Sequence, residues 1–281
     1  MKKSKIFKII ALCFVLLLIL LVLWFVDGFY GNPISKKISN RSIEDYIEKT
    51  YPNNQYEIAD AKYNFKSNGY YSEISLPGSI DIHFRVSTRR NGKISYDSYQ
   101  SAVVYKQNVF RRINDEYRKK VDEVVEAQEF PYPGYIKFGE IMGDRTVDEF
   151  GNCYGITTKD LIIDKEYDVM EFAKDAGHLV LYIEDQDVSI ERASEILLDI
   201  KNILDDKYIK FYAIDFNLIK PRVDDRPNKD DTRINIDNFL YKDIYKEGLD
   251  ERITVADKAL NDYYKEQDEK ERKEREKRNK E

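Results

Sequence analysis

Eighteen consecutive residues, Ile9 to Val26, carry no charged or strongly polar side chain, and the run stops within WFVDGFYGNP, residues 24–33. As an α-helix rising about 1.5 Å per residue, such a run measures about 27 Å, close to the hydrocarbon thickness of a bilayer. It is longer than the apolar region of a secretory signal, about 7–15 residues, and no small-x-small cleavage site follows it. Lys2, Lys3, Lys5 and Lys8 flank its entry, whereas Trp24, Phe25, Phe29 and Tyr30 lie where interfacial aromatics belong on the exit side. Cys13 sits inside the run behind Leu12, a setting that does not suit a lipoprotein signal. The reading is a single-pass signal anchor in the cell membrane, with a cytoplasmic N-terminus and an extracytoplasmic bulk.

That bulk is acidic. The chain carries −6 overall and its first 26 residues contain four lysines and no acid, so residues 27–281 carry −10. Nucleic acid, whose phosphates call for a basic face, is a poor partner. Beyond the apolar run only Cys153 remains, so no intramolecular disulfide is available and stability must come from apolar cores. About 250 residues suffice for one or two of them.

Asn32-Pro33 reads as an N-cap followed by proline in the first turn, opening a helix that ends at Tyr51-Pro52. Its apolar residues Ile34/Ile38 and Ile43/Tyr46/Ile47 are out of phase, which points to a bend or restart near Asn40. The period then becomes two, through Ala59, Ala61, Tyr63 and Phe65, then Ile74 and Leu76, then Ile80, Ile82, Phe84 and Val86, then Ile94 and Tyr96. Asn68-Gly69, Pro77-Gly78 and Asn91-Gly92 separate these runs as tight turns. An antiparallel meander of about four strands is predicted. Ala102, Tyr105, Val109, Ile113, Tyr117, Val121 and Val124 then mark a long amphipathic helix, whose stripe needs the apolar face of that meander to cover it.

The exit sequence Tyr30-Gly31-Asn32-Pro33, Tyr51-Pro52, YNFK at Tyr63–Lys66, Tyr70-Tyr71, His83-Phe84 and YDSY at Tyr96–Tyr99 together resemble the YfjL-like proteins of Gram-positive bacteria. The Gly-Asn-Pro start is shared with the shorter DUF3139 proteins. The resemblance covers roughly residues 1–128 and, more loosely, the rest. It implies a membrane-anchored protein and brings no catalytic residues with it.

FPYPGY, residues 130–135, reads as a linker. Beyond it come a strand with Ile136, Phe138 and Met142, a short helix capped by Asp168, the strand HLVLYI from His178, a helix with Ile190, Ala193, Leu197, Ile200 and Leu204, and strands holding Tyr212–Leu218 and Ile234/Ile236. The order of these strands is left open. A last helix from about Asp250 shows Ile253, Ala256, Leu260 and Tyr263 on one face before KEQDEKERKEREKRNKE, a charge-balanced segment that reads as a solvated helix or a docking tail. The fold class is therefore α+β: a basic segment 1–8, a transmembrane helix 9–26, a helix/antiparallel-meander/helix domain 27–129, a second α+β domain 130–249, and a charged C-terminal helix 250–281.

Signatures of chemistry are absent. The sequence contains no H-E-x-x-H, G-x-S-x-G, glycine-rich phosphate loop or S-x-x-K. His83 is placed on the polar face of its strand, and His178 reads likewise as a surface or sheet-face residue. Cys153 reads as an inert thiol near a turn. Asp185 and Asp187 begin like a calcium loop but lack its glycine and its final glutamate, so strand-to-helix capping fits better. Asp224, Asp225, Asp230 and Asp231 form an acidic loop able to attract a hard cation. No catalytic, cofactor or metal site is assigned. Tyr70, Tyr71, Tyr96 and Tyr99, clustered at predicted turns and strand ends, are the candidates for a ligand or partner surface. The expectation is a non-catalytic binding module of the cell envelope, touching the bilayer through residues 9–26 and an envelope or membrane protein through its bulk. An assembly factor using its anchor is the alternative, followed by a hydrolase built on paired carboxylates.

Overall fold

Helix α1 (Lys2–Tyr30) carries the apolar run, and Leu12–Val22 and Trp24–Val26 lie uncovered by protein. It is long and apolar enough to cross a membrane. The computed structural model describes residues 2–52, 55–143, 146–147, 153–224, 226, 228–230 and 232–278. The chain forms two units, Met1–Val109 with Ile162–Asp164, and Phe110–Leu161 with Lys165–Glu281.

In the first unit, α2 (Pro33–Thr50) starts as the sequence requires. The Asn32 side chain accepts from the Ser35 N–H at 2.7 Å, with Pro33 in the first turn. The helix runs through Asn40 without a break, contrary to the expected bend. Its buried face is Ser39, Ile43 and Ile47, while Ile34 and Ile38 are exposed, so the phase change reflects two apolar residues outside the core. Asn40 serves the sheet instead, since its amide donates to Asp60 Oδ1 and its carbonyl accepts from the Ala61 N–H.

Those contacts pin a break in the sheet edge. β1 (Glu57–Ile58) and β2 (Lys62–Asn64) both pair with β3 (Gly69–Ser75), and one extra residue between them makes a bulge at Asp60–Ala61. β3 pairs with β4 (His83–Arg89), which pairs with β5 (Ile94–Asp97), all antiparallel. Positive φ at Asn68, Gly78 and Gly92 confirms the three turns. Ile74, Phe84 and Val86 face Ile43 and Ile47 of α2 and Val103, with Tyr46, Tyr51, Tyr56 and Tyr99 packed around them. Asp97 gathers the hydroxyls, accepting from Tyr46 at 2.8 Å and Tyr51 at 2.7 Å. Burial, reinforced by that carboxylate, pushes both phenols above their usual pKa. Asp164 ties down the β3–β4 turn, where its carboxylate accepts from Ser79 Oγ and from the Ile80 and Asp81 N–H groups.

The junction between α1 and α2 is tied to this sheet. Gly31, at φ +70°, turns the chain, and a β-carbon there would meet Tyr70 Oη at 2.5 Å. Tyr70 Oη accepts from the Asn32 N–H and donates to the Asn32 carbonyl, both at 2.8 Å. Arg90 grips the Asp27 carboxylate and carbonyl, Asn32 donates to Asp27, and Tyr63 Oη donates to the Gly28 carbonyl.

The long helix following the meander divides. Gln100–Val104 is a π-helical turn, Lys106 breaks it at φ +57°, and α3 (Gln107–Val125) begins afresh. Val109, Ile113, Tyr117, Val121 and Val125 form the buried stripe, with Val125 taking the place expected for Val124 and Tyr105 left exposed. At Tyr117 and Val121 the sheet that covers the stripe is the second one, not the meander: a side chain at Gly139 would strike both, and Asn114 accepts from the Ile141 N–H. Periodicity announces that a helix needs a sheet without naming which sheet.

The second sheet has the order β11-β10-β9-β6. Its members are β6 (Gly134–Ile141), β9 (Gly177–Glu184), β10 (Ala213–Ile219) and β11 (Arg233–Leu240); β7 (Thr146–Val147) and β8 (Cys153–Tyr154) form a separate small pair. β9 and β10 run parallel, and the other two pairings are antiparallel. The parallel pair needs a crossover, supplied by α5 (Ile190–Asp206), which Ser189 caps. α4 (Val169–Ala176) is capped by Asp168, as its sequence predicts. Leu179, Leu181, Ile183, Phe216 and Leu218 bury one face of the sheet, while Ala193, Ile196, Leu197, Ile200 and Leu204 bury the matching side of α5. α6 (Leu249–Arg278) lies along edge strand β11, with Asp257 accepting from the Asn235 N–H at 2.9 Å. Its outer turns are solvated, and Glu269/Lys273 and Glu274/Arg278 pair across one turn.

Candidate functional site

β10 reads AIDFNLI: Ile214, Phe216 and Leu218 enter the core, leaving Asp215 and Asn217 on the other face. Register then sets their neighbours. Asn217 stands between Tyr182 of β9 and Asn235 of β11, giving a three-strand polar row. One position along, Asp215 faces a bulge, because β11 spends three steps (Ile236 to Phe239) where β10 spends two. Asn238 in that bulge has φ +50°, and its N–H donates to Asp215 Oδ1 at 2.7 Å.

Asp215 is also backed by a histidine. His178 is 4% exposed, and its Nε2 lies 3.0 Å from Asp215 Oδ1, a close approach without the alignment of a hydrogen bond. Its Nδ1 is 2.6 Å from Tyr154 Oη, which donates at 2.6 Å to Asn238 Oδ1, and the Tyr154 ring stacks on Tyr212. The Asn238 N–H thus holds the carboxylate, with the His178 ring, itself fixed by Tyr154, packed behind it.

In front of it lies a cavity of about 740 Å³, within the roughly 300–1,000 Å³ usual for small-molecule sites. Its floor is the row just described. Tyr135, Lys220, Arg222 and Arg233 stand at its side, and Leu260, Asn261 and Tyr264 of α6 complete its wall. The Tyr135 and Tyr182 rings are 5.5 Å apart, and the Arg222 guanidinium covers Tyr135 at 4.8 Å. Burial raises the Tyr182 phenol above its usual pKa, so at neutral pH it is a neutral donor and acceptor. Asp215, Asp230 and Asp237 balance Lys220, Arg222 and Arg233. Such a lining suits a ligand that both donates and accepts hydrogen bonds better than a polyanion.

The tyrosines singled out in the sequence separate into two groups. Tyr71 and Tyr96 share the open face of the first sheet, each opposite Ser87, with Arg85 stacked on Tyr71 at 4.3 Å. Tyr70, 2% exposed, belongs to the α1–α2 junction, and Tyr99 packs against Tyr51 and Phe84. His83 is exposed on the polar face, as placed from sequence, whereas His178 is a buried sheet-face residue rather than a surface one. Ser189, not Asp185, caps α5; Asp185 accepts from the Asp187 N–H and pairs with Arg192 of α5. Asp224 and Asp230 lie on the loop between β10 and β11, while Asp225, Asp231 and the Cys153 side chain fall outside the described residues. Among the described residues no group of three or more His, Cys, Asp or Glu is arranged to hold a metal.

The polar residues of this cavity went unseen in the sequence. Asp215 and Asn217, alternating inside an otherwise apolar strand, were the available signal. The His178 contact was not available, because it depends on two strands 35 residues apart lying side by side.

The chain matches the YfjL-like N-terminal domain over residues 6–98 and the YfjL-like C-terminal domain over residues 116–254. It belongs to the YfjL-like family. Neither the curated proteins nor the solved structures contain a match.

Proposed function

We propose that this YfjL-like protein is a single-pass, membrane-anchored binding module of the bacterial cell envelope, with α1 as its signal anchor and both folded units outside the cytoplasm. The four lysines ahead of the apolar run support that orientation. The observation that carries the binding reading is the cavity over β9–β10–β11, in which a rigidly supported Asp215 meets tyrosine rings and asparagine amides. Its ligand is a small, polar solute without large net charge, held without chemical conversion.

The test uses the full-length protein in nanodiscs, titrated with neutral mono- and disaccharides, amino acids and short peptides while the melting temperature is followed. A saturating ligand at 100 times its Kd adds about 2.7 kcal/mol of stability. Asp215→Asn, nearly isosteric, removes a charge-assisted hydrogen bond of about 1.5–3 kcal/mol and should weaken binding about 10- to 100-fold. A ligand shift untouched by Asp215→Asn would move the site elsewhere, and recovery of the ligand as a product would replace binding by catalysis. Labelling Tyr208→Cys on wall-stripped cells with a membrane-impermeant maleimide checks the orientation, since Tyr208 is exposed.

A further inference from the structure

If residues 9–26 fill the hydrocarbon core, Phe29 lies about 4.5 Å beyond its edge. That places its ring inside the polar interface, roughly 5–7 Å thick on each side. Phe29 does not stand alone there. The Phe65 ring, from the turn joining β2 and β3, stacks on it with centroids 6.3 Å apart and planes within 22°. Both rings are more than half exposed, at 53% and 57%. Even with Phe29 as its stacking partner, Phe65 keeps more than half of its surface open on a tight turn.

The same end of the sheet is held still closer to the apolar run. Tyr63, two residues before Phe65, donates to the Gly28 carbonyl, and Arg90, from the turn joining β4 and β5, grips Asp27. Asp27 and Gly28 both precede Phe29, so these bonds draw the sheet end toward the hydrocarbon edge. Lys66 beside Phe65, and Arg89 and Lys93 beside Arg90, are exposed cations in a chain whose residues after the apolar run carry −10. Aromatic rings next to lysine and arginine are the composition that phospholipid headgroups favour.

We propose that the β2–β3 turn is a second membrane contact, with Phe65 seated in the phospholipid headgroup layer beside Phe29, so that the first unit rests on the bilayer. The proposal depends on α1 crossing the bilayer and not on which side the folded units lie.

The sole tryptophan, Trp24, makes the test direct. The full-length protein is reconstituted into vesicles whose acyl chains are brominated near the headgroup, and quenching of tryptophan fluorescence is compared in three forms. Wild type reports on α1, Trp24→Phe/Phe65→Trp on the turn, and Trp24→Phe/Ile80→Trp on the exposed loop at the far end of β3, about 23 Å along the strand. Quenching of the tryptophan at 65 close to that of Trp24, and at least threefold above that of the tryptophan at 80, is the expected result. Strong quenching of Trp24 with positions 65 and 80 alike would overturn the proposal while leaving the membrane helix intact. An unquenched Trp24 would remove the membrane-spanning reading on which it depends.

Discussion

Around the first sheet, Tyr46, Tyr51, Tyr56 and Tyr99 pack against the buried apolar cluster, and two of them, Tyr46 and Tyr51, donate their hydroxyls to Asp97. The second sheet is sealed against α5 by aliphatic side chains and Phe216, nearly all fully buried. The first unit thus closes with rings that need a polar partner, whereas α5 closes on the second sheet with side chains that need only volume. The first should be sensitive to loss of a hydrogen-bond acceptor and the second to loss of bulk. Hydrogen exchange followed separately in each unit can measure both.

The largest expected effect is Phe216→Ala, which empties a fully buried site and should cost the second unit about 3–5 kcal/mol. A loss below about 1 kcal/mol would mean that the site collapses freely and that the second core is not the tightly filled one described. Next comes Asp97→Ala, which strands the hydroxyls of Tyr46 and Tyr51 and the N–H of Tyr99. It should cost the first unit about 1–3 kcal/mol, with Tyr51→Phe and Tyr46→Phe together recovering part of the loss. If the double phenylalanine variant is no better than Asp97→Ala, the stranded hydroxyls are not the cause.

The smallest effect sharpens the contrast from the other side, because the second unit's ion pair lies at its periphery. Burial opposes ionisation of Asp185, but the Asp187 N–H and the Arg192 guanidinium outweigh it and hold the carboxyl below its usual pKa. A folded value below the unfolded one, about 3.9, stabilises fully only above that unfolded value. The contribution is lost as pH falls through the lowered folded value. Exposed pairs are worth about 1 kcal/mol or less. Asp185→Asn should therefore lower stability slightly at pH 7 and flatten the acid limb below about pH 4; an unchanged acid limb would show that Arg192 adds nothing.

Legibility followed the range of each signal. Asn32-Pro33, the positive-φ turns at Asn68, Gly78 and Gly92, and the alternation around Phe84 and Val86 are local, and each of these elements stands where the sequence puts it. Ile34 and Ile38 misled because apolar residues on an exposed flank imitate a change of phase. The covering of α3 by Gly139, and the meeting of His178 with Asp215, depend on strands distant in sequence becoming neighbours. A parallel pair leaves no turn motif to reveal it, so the polar floor of the cavity became visible only with the register.

The junction at Gly31 has a consequence for reach. Any side chain at that position would meet Tyr70 and Tyr63, and Asp27, Asn32 and Arg90 bind the two sides of the turn together. A flexible tether would let its cargo sweep a volume that grows with linker length. Here there is no slack to let out: the first unit works as a bracket rather than a leash. On the proposed membrane-anchored reading, it meets only what diffuses in the plane of that membrane or comes to within its fixed height, and lengthening the junction with glycine would trade that local concentration for range.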